Sequence, residues 1–170
     1  MSNPPDIIFE GAAGLYRQIE LARWGDAGVL EPFDSDLRSL GFRLLGDLLC
    51  SALAQGILRG YVQPTEHTQG LLLVGVKQGK LSVFGLFFDS RFINDATATT
   101  TTSRAVRDLP AVGTHRKICP WKGVYDLYSQ HQAHVDELRP VNGDTLPMGD
   151  TLVSLAEPLD ASTVRGARLV

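Results

Sequence analysis

The sequence predicts an α+β fold: a single curved antiparallel sheet of about five to six strands, with an N-terminal helix and a helix from the C-terminal half packed on one face. Three observations carry that prediction. The first is Leu71 to Phe88, which reads LLLVGV-KQGK-LSVFGLFF. Two proline-free runs of Leu, Val and Phe flank a polar turn, which is the pattern of a β-hairpin. The second is an apolar stripe at helical spacing near each end of the chain. The third is the order of elements. Helical segments come first, then a run of strands, then a helix, so α and β are separated instead of alternating.

In the hairpin, Gln78-Gly79 is the natural two-residue loop, because Gly79 tolerates a positive φ. That register sets Val76 opposite Leu81, Val74 opposite Val83 and Leu72 opposite Gly85. One face then carries Leu72, Val74, Val76, Leu81, Val83 and Phe87. The other carries Leu71, Leu73, Phe84, Leu86 and Phe88. A sheet with one wet face alternates apolar and polar residues; this hairpin is apolar on both. Each side therefore needs a cover: helices on one, and a second subunit, the C-terminal segment or a ligand cavity on the other.

Before the hairpin, Pro4-Pro5 delays any helix and Asp6 offers a cap. Ile8, Ala12, Leu15, Ile19 and Ala22 step by four and three, which predicts a helix over about residues 6–24, weakened by Gly11 and Gly14 and stopped at Gly25. Asp34 or Ser35 caps a short helix that ends at Gly41. Residues 42–53 fit either a helix or a strand. The Ala54-Gln55-Gly56 turn favours the strand, with Gly46 as a bulge and Ile57 to Val62 as its antiparallel mate. Thr65 to Gly70 is a polar loop carrying His67.

After the hairpin, TATTTTS over residues 97–103 is a β-branched run and a further strand. Thr97, Thr99, Thr101 and Ser103 fall on one face, Thr100 and Thr102 on the other. Residues 104–120 are irregular. From Trp121 to Leu138 the stripe Val124, Tyr128, His131, Val135 and Leu138 predicts a second helix, closed by Pro140. Residues 141–150 hold turn chemistry, Thr151 to Ala156 suit a short strand, and Asp160 starts a last helical turn. The expectation is one domain over residues 1–170, with 157–170 either flexible or packed on a partner.

Composition narrows the function. The 170 residues are 44% hydrophobic and 21% charged, with a formal net charge of -3. That balance asks for neither nucleic acid nor an anionic membrane. No apolar run approaches the ~20 residues of a membrane helix, and no secretory signal stands at the N-terminus, so a cytoplasmic location is expected. Two cysteines, Cys50 and Cys119, make no disulfide framework. The residues near Cys119 are basic, which would lower its pKa.

The candidates for chemistry cluster late in the chain. His131 and His134 project from one side of a helix and, with His115 and Cys119, spell H-x3-C-x11-H-x2-H. Zinc accepts those ligand types, although the spacing fits no known zinc motif. Structural histidines in a hydrogen-bonded core are the simpler reading, and none of the nearby carboxylates Asp126, Asp136 and Glu137 is favoured as a partner. Arg104, Arg107, Arg116, Lys117 and Lys122 form a local basic patch able to meet a phosphate or carboxylate. Gly75 to Lys80 resembles a P-loop only superficially: its glycines are too close, Leu81 follows the lysine, and it sits in a hairpin. Nucleophile-elbow, zincin, C-x-x-C and dinucleotide signatures are absent.

These readings converge on a binding or interaction module, homodimeric and without a cofactor. Its pocket is expected between the sheet and the Trp121 helix, at Tyr128, His131, Thr99, Thr101 and Arg104. The alternative is a small enzyme in which His131 and His134 act as acid and base, or bind zinc with His115 and Cys119. A small-molecule ligand fits either reading, and its identity is not legible in the residues.

Overall fold

The computed structural model describes residues 8–11, 14–50, 56–102 and 114–149. The fold is α+β, a mostly antiparallel sheet with two α-helices. In chain order, β1 (Ile8–Gly11) and β2 (Gly14–Ile19) lead through two short 3-10 turns, Leu21–Arg23 and Ala27–Leu30, into α1 (Glu31–Ser39). Then follow β3 (Arg43–Cys50), β4 (Gly56–Gln63), β5 (Thr68–Lys77), β6 (Lys80–Phe92), β7 (Thr97–Thr101) and β8 (Thr114–Ile118). The chain continues with α2 (Val124–Asn142) and β9 (Thr145–Leu146). Strands β1 to β8 lie side by side in sequence order, and β9 adds to β6. Among the described residues, only the β7–β8 pair is parallel.

The sheet is therefore larger than the expected five to six strands, for two reasons. The predicted N-terminal helix over residues 6–24 does not form. Instead β1 and β2 pair as an antiparallel hairpin, Phe9 opposite Tyr16 and Gly11 opposite Gly14. Two glycines cost a helix about 1 kcal/mol each, whereas Ile8, Phe9, Tyr16 and Ile19 are strand formers. The second is at the far end, where β8 emerges from the stretch expected to be irregular and docks beside β7, and β9 pairs with β6 from the stretch expected to turn.

Segment 43–50 is a strand, with the register shift at Gly46 that the sequence suggests, and β4 is its mate. The central hairpin turns at Gln78-Gly79, both with positive φ (51° and 70°), and Val76 faces Leu81 as expected. Beyond Val74–Val83 the expected register fails. A bulge inserts Phe84, so Leu72 faces Leu86 and Leu73 faces Gly85. The extra residue transfers Leu86 and Phe88 to the face of Leu72 and Val74, and Phe87 to the face of Leu71. Phe84 itself is left 69% exposed.

Both faces of the central strands are buried within the single chain. On one, Ile57, Tyr61, Leu72, Val74, Leu86 and Phe88 join Leu37 of α1 and Val124, Leu127 and Tyr128 of α2 in one cluster. On the other, Leu48, Leu58, Val62, Leu71 and Phe87 are also buried. Helix α1 is tied to the sheet by Arg59. Its guanidinium pairs with both oxygens of Asp47 at 2.9 and 2.8 Å and with Asp34 at 3.1 and 3.0 Å. Tyr61 also donates to Asp34, at 2.5 Å. Burial pushes the Asp47 carboxyl up, Arg59 opposes that shift, and Asp34 adds to it.

Helix α2 starts three residues later than the sequence suggests, so Trp121 precedes it, and it runs through Pro140. Its end is set by Gly143, at φ +81°, whose N–H bonds back to the Arg139 carbonyl at 2.8 Å. No helix among the described residues is long and apolar enough to cross a membrane. The strand and helical turn expected after residue 150, and Arg104 and Arg107, lie outside the described residues.

Candidate functional site

The apolar stripe of α2 carries His131 onto the sheet, where it meets hydroxyls of β6 and β7 and, through the first, one of β5. His131 is fully buried. Its Nε2 lies 2.9 Å from Ser90 Oγ on β6, and its Nδ1 lies 3.0 Å from Thr100 Oγ1 on β7. Ser90 continues to Thr68 Oγ1 on β5 at 3.2 Å, and Thr100 meets His134 Nδ1 at 3.2 Å. Alternation along the strands puts Thr68, Ser90 and Thr100 on the same sheet face, one from each neighbouring strand.

Counting hydrogens fixes the direction of this chain. Thr68 donates to the Glu66 carbonyl, which can only accept. Ser90 must then donate to Thr68, and neutral His131 must donate to Ser90 from Nε2. Its Nδ1 accepts from Thr100, which leaves Thr100 to accept from His134 Nδ1–H. Each hydroxyl gives one hydrogen and receives one, and both ring nitrogens of His131 are used. Burial, with a smaller contribution from His134, pushes His131 down to about 3. Burial and the nearby Lys117 and His115 also lower His134, against Glu137.

Beside this relay lies an open cleft of about 270 Å3 between α2 and the start of β5. Glu66, Thr68, His131, Gln132, Asp136 and Arg139 line it, with Val135 as an apolar wall. Arg139 pairs with Asp136 at 2.9 Å and approaches Asp144 at 4.0 Å. The buried hydroxyl of Tyr128, one helical turn before Gln132, has no hydrogen-bond partner. Burial and the Glu66 carboxylate push that phenol up to about 12, against the pull of the neighbouring Thr68 and Gln132 side chains.

The residues singled out in the sequence divide between the two sheet faces. Tyr128 and His131 face the helix side. Thr99 and Thr101 point the other way, where Thr99 donates to Asp89 at 2.6 Å and Thr101 donates to the Leu86 carbonyl at 3.0 Å. These four residues do not line one pocket. Thr100, placed in the sequence on the opposite strand face, is the residue that touches both histidines. His115 is exposed on β8, while Cys119 is buried in the core cluster. Burial outweighs Lys117 and raises the Cys119 thiol, the reverse of the expected activation. Among the described residues no three of His, Cys, Asp and Glu are grouped to hold a metal. Ser90, Thr68 and Asp89 carried no motif signal; strand register alone brings Ser90 and Thr68 to the His131 side and sets Asp89 beside Thr99 on the other face.

The chain matches no known family model, no curated protein and no solved structure.

Proposed function

We propose that the protein is a non-catalytic binding module that takes a small organic cation into the cleft between β5 and α2. The observation that supports this most is the charge balance of the lining. Glu66, Asp136 and Arg139 are the charged groups of the lining; Arg139 pairs with Asp136 and approaches Asp144, which leaves Glu66 as the uncompensated carboxylate. An ammonium group is attracted to such a cleft, and the Gln132 side chain in its lining offers a hydrogen bond. A cleft of this size suits a ligand of amino-alcohol dimensions, smaller than the usual drug-sized occupant.

Acid–base catalysis is the weaker reading. A general base needs a free lone pair near the operating pH, and both His131 nitrogens are spent inside the core. The expectation of a homodimer rested on the second apolar sheet face, the one away from the helices. Leu48, Leu58, Leu71 and Phe87 of that face are buried in the chain itself, so the proposed cleft does not require a second copy.

Titration with ethanolamine, followed by NMR, tests the reading, with acetate as the control. Saturable shifts centred on Tyr128, Gln132 and Glu66 that acetate does not produce, and that Glu66→Gln removes, are the expected result. Equal response to both solutes, or none to either, overturns it.

A further inference from the structure

A second polar constellation lies on the sheet face away from the helices. Register places Gln69 of β5 opposite Asp89 of β6, Asp89 opposite Thr99 of β7, and Thr99 opposite Arg116 of β8. Paired residues share a face, so these four side chains form one row across four strands, each about 5 Å from the next. Apolar neighbours flank it: Val62 faces Gln69 from β4, and Leu71 and Phe87 stand one pair along.

Gln69 is fully buried, and neither its amide oxygen nor its amide nitrogen has a hydrogen-bond partner. A buried amide left unpaired is costly, and native interiors rarely keep one. Next to it, Asp89 holds the Thr99 hydroxyl on Oδ1. Asp89 and Thr99 each keep 8% exposure, and Gln69 keeps none. A few aimed polar groups in apolar surroundings are the usual make-up of a small-molecule site.

We propose that this row is a second ligand site, separate from the cleft at α2, and that it takes a primary carboxamide or urea-type group. The chemistry follows from the inventory of donors and acceptors. The Gln69 side chain offers one carbonyl and one amino group on a single edge. Another amide is its complement, with its N–H to Gln69 Oε1 and its carbonyl accepting from Gln69 Nε2. The second N–H of the ligand then reaches the Asp89 carboxyl, which Thr99 holds in place. A carboxylate ligand lacks both donors.

The test is an NMR titration of the wild-type chain at neutral pH with acetamide, and separately with acetate. Saturable shifts of the Gln69 side-chain NH2 and of Asp89 with acetamide alone are the expected result. Gln69→Leu, close in volume, should weaken acetamide binding about ten-fold or more and leave the thermal midpoint unchanged or higher. If that variant fails to fold, Asp89→Asn serves instead, with the same expected weakening. No saturable acetamide shift, acetate binding as well as acetamide, or full binding by a folded variant each overturns the proposal. The first of these is what a row that holds only water would give.

Discussion

The pH dependence of stability offers the sharpest check on the two buried polar clusters, because Asp89 and His131 act in opposite senses. Burial raises Asp89 from 3.8 to about 6, against the Thr99 hydrogen bond and Arg116. Between those two values the folded state holds a proton that the unfolded state has released. Stability therefore falls as pH rises through this window, by about 3 kcal/mol in all at ~1.4 kcal/mol per pH unit. His131 is lowered from 6.5 to about 3, so over that window the unfolded state binds the extra proton. Its contribution is present above pH 6.5 and is lost as pH falls, by up to about 5 kcal/mol. Where the windows overlap, from about pH 4 to 6, the two slopes cancel.

Asp89→Asn separates them. Asparagine keeps the oxygen that accepts from Thr99 and removes the titration. At pH 4 the variant should match wild type, and at pH 7 it should be more stable by up to about 3 kcal/mol. Urea denaturation of both proteins at several pH values measures this directly. Parallel profiles between pH 4 and 7 would refute the buried, desolvated placement of Asp89.

Three further outcomes follow from single contacts. Arg59→Met leaves Asp34 and Asp47 buried without their shared cation and should cost about 3–5 kcal/mol at pH 7. Part of that loss should return at pH 4, and an equal cost at both pH values would argue against a charge effect. Tyr128→Phe removes a buried hydroxyl that has no partner, so denaturation should show no loss, or a gain of up to about 1 kcal/mol. A loss beyond that range would mean the hydroxyl is bonded. Gly79→Ala should cost about 1 kcal/mol from its φ of +70° alone, since an added Cβ meets nothing within 4 Å. Gly79→Asn should recover most of that loss, and an alanine variant as stable as wild type would exclude the positive-φ turn.

How far the sequence revealed this fold depended on the range of the interaction involved. The Gln78-Gly79 turn, the Gly46 bulge and the α2 stripe are local signals, and they were legible. The Phe84 bulge was not. One inserted residue reversed the faces of Leu86, Phe87 and Phe88, and nothing in the composition of LSVFGLFF marks where it falls. A Cβ on Gly75 would sit 1.8 Å from the Phe84 ring, so that glycine makes room for the bulged side chain. A glycine in a strand can signal such close approach, but the sequence alone does not say which residue uses the space. Periodicity misled at the N-terminus, where a four-three spacing over fifteen residues also suits two short strands once glycines break it.

Both candidate sites share the second limitation. Ser90, Thr68 and Thr100 meet His131 only because four elements converge there, and Gln69, Asp89, Thr99 and Arg116 form a row only through the register of four strands. Thr99 and His131 are legible as candidates in the sequence. Their separation onto two faces is not, because it depends on the strand alternation relative to β6, and that alternation passes through the bulge. The register shift at Phe84 therefore does more than adjust packing. It carries Ser90 to the His131 side and Asp89 to the Gln69 side, so a β6 without the extra residue would exchange these two polar groups and dismantle both clusters at once.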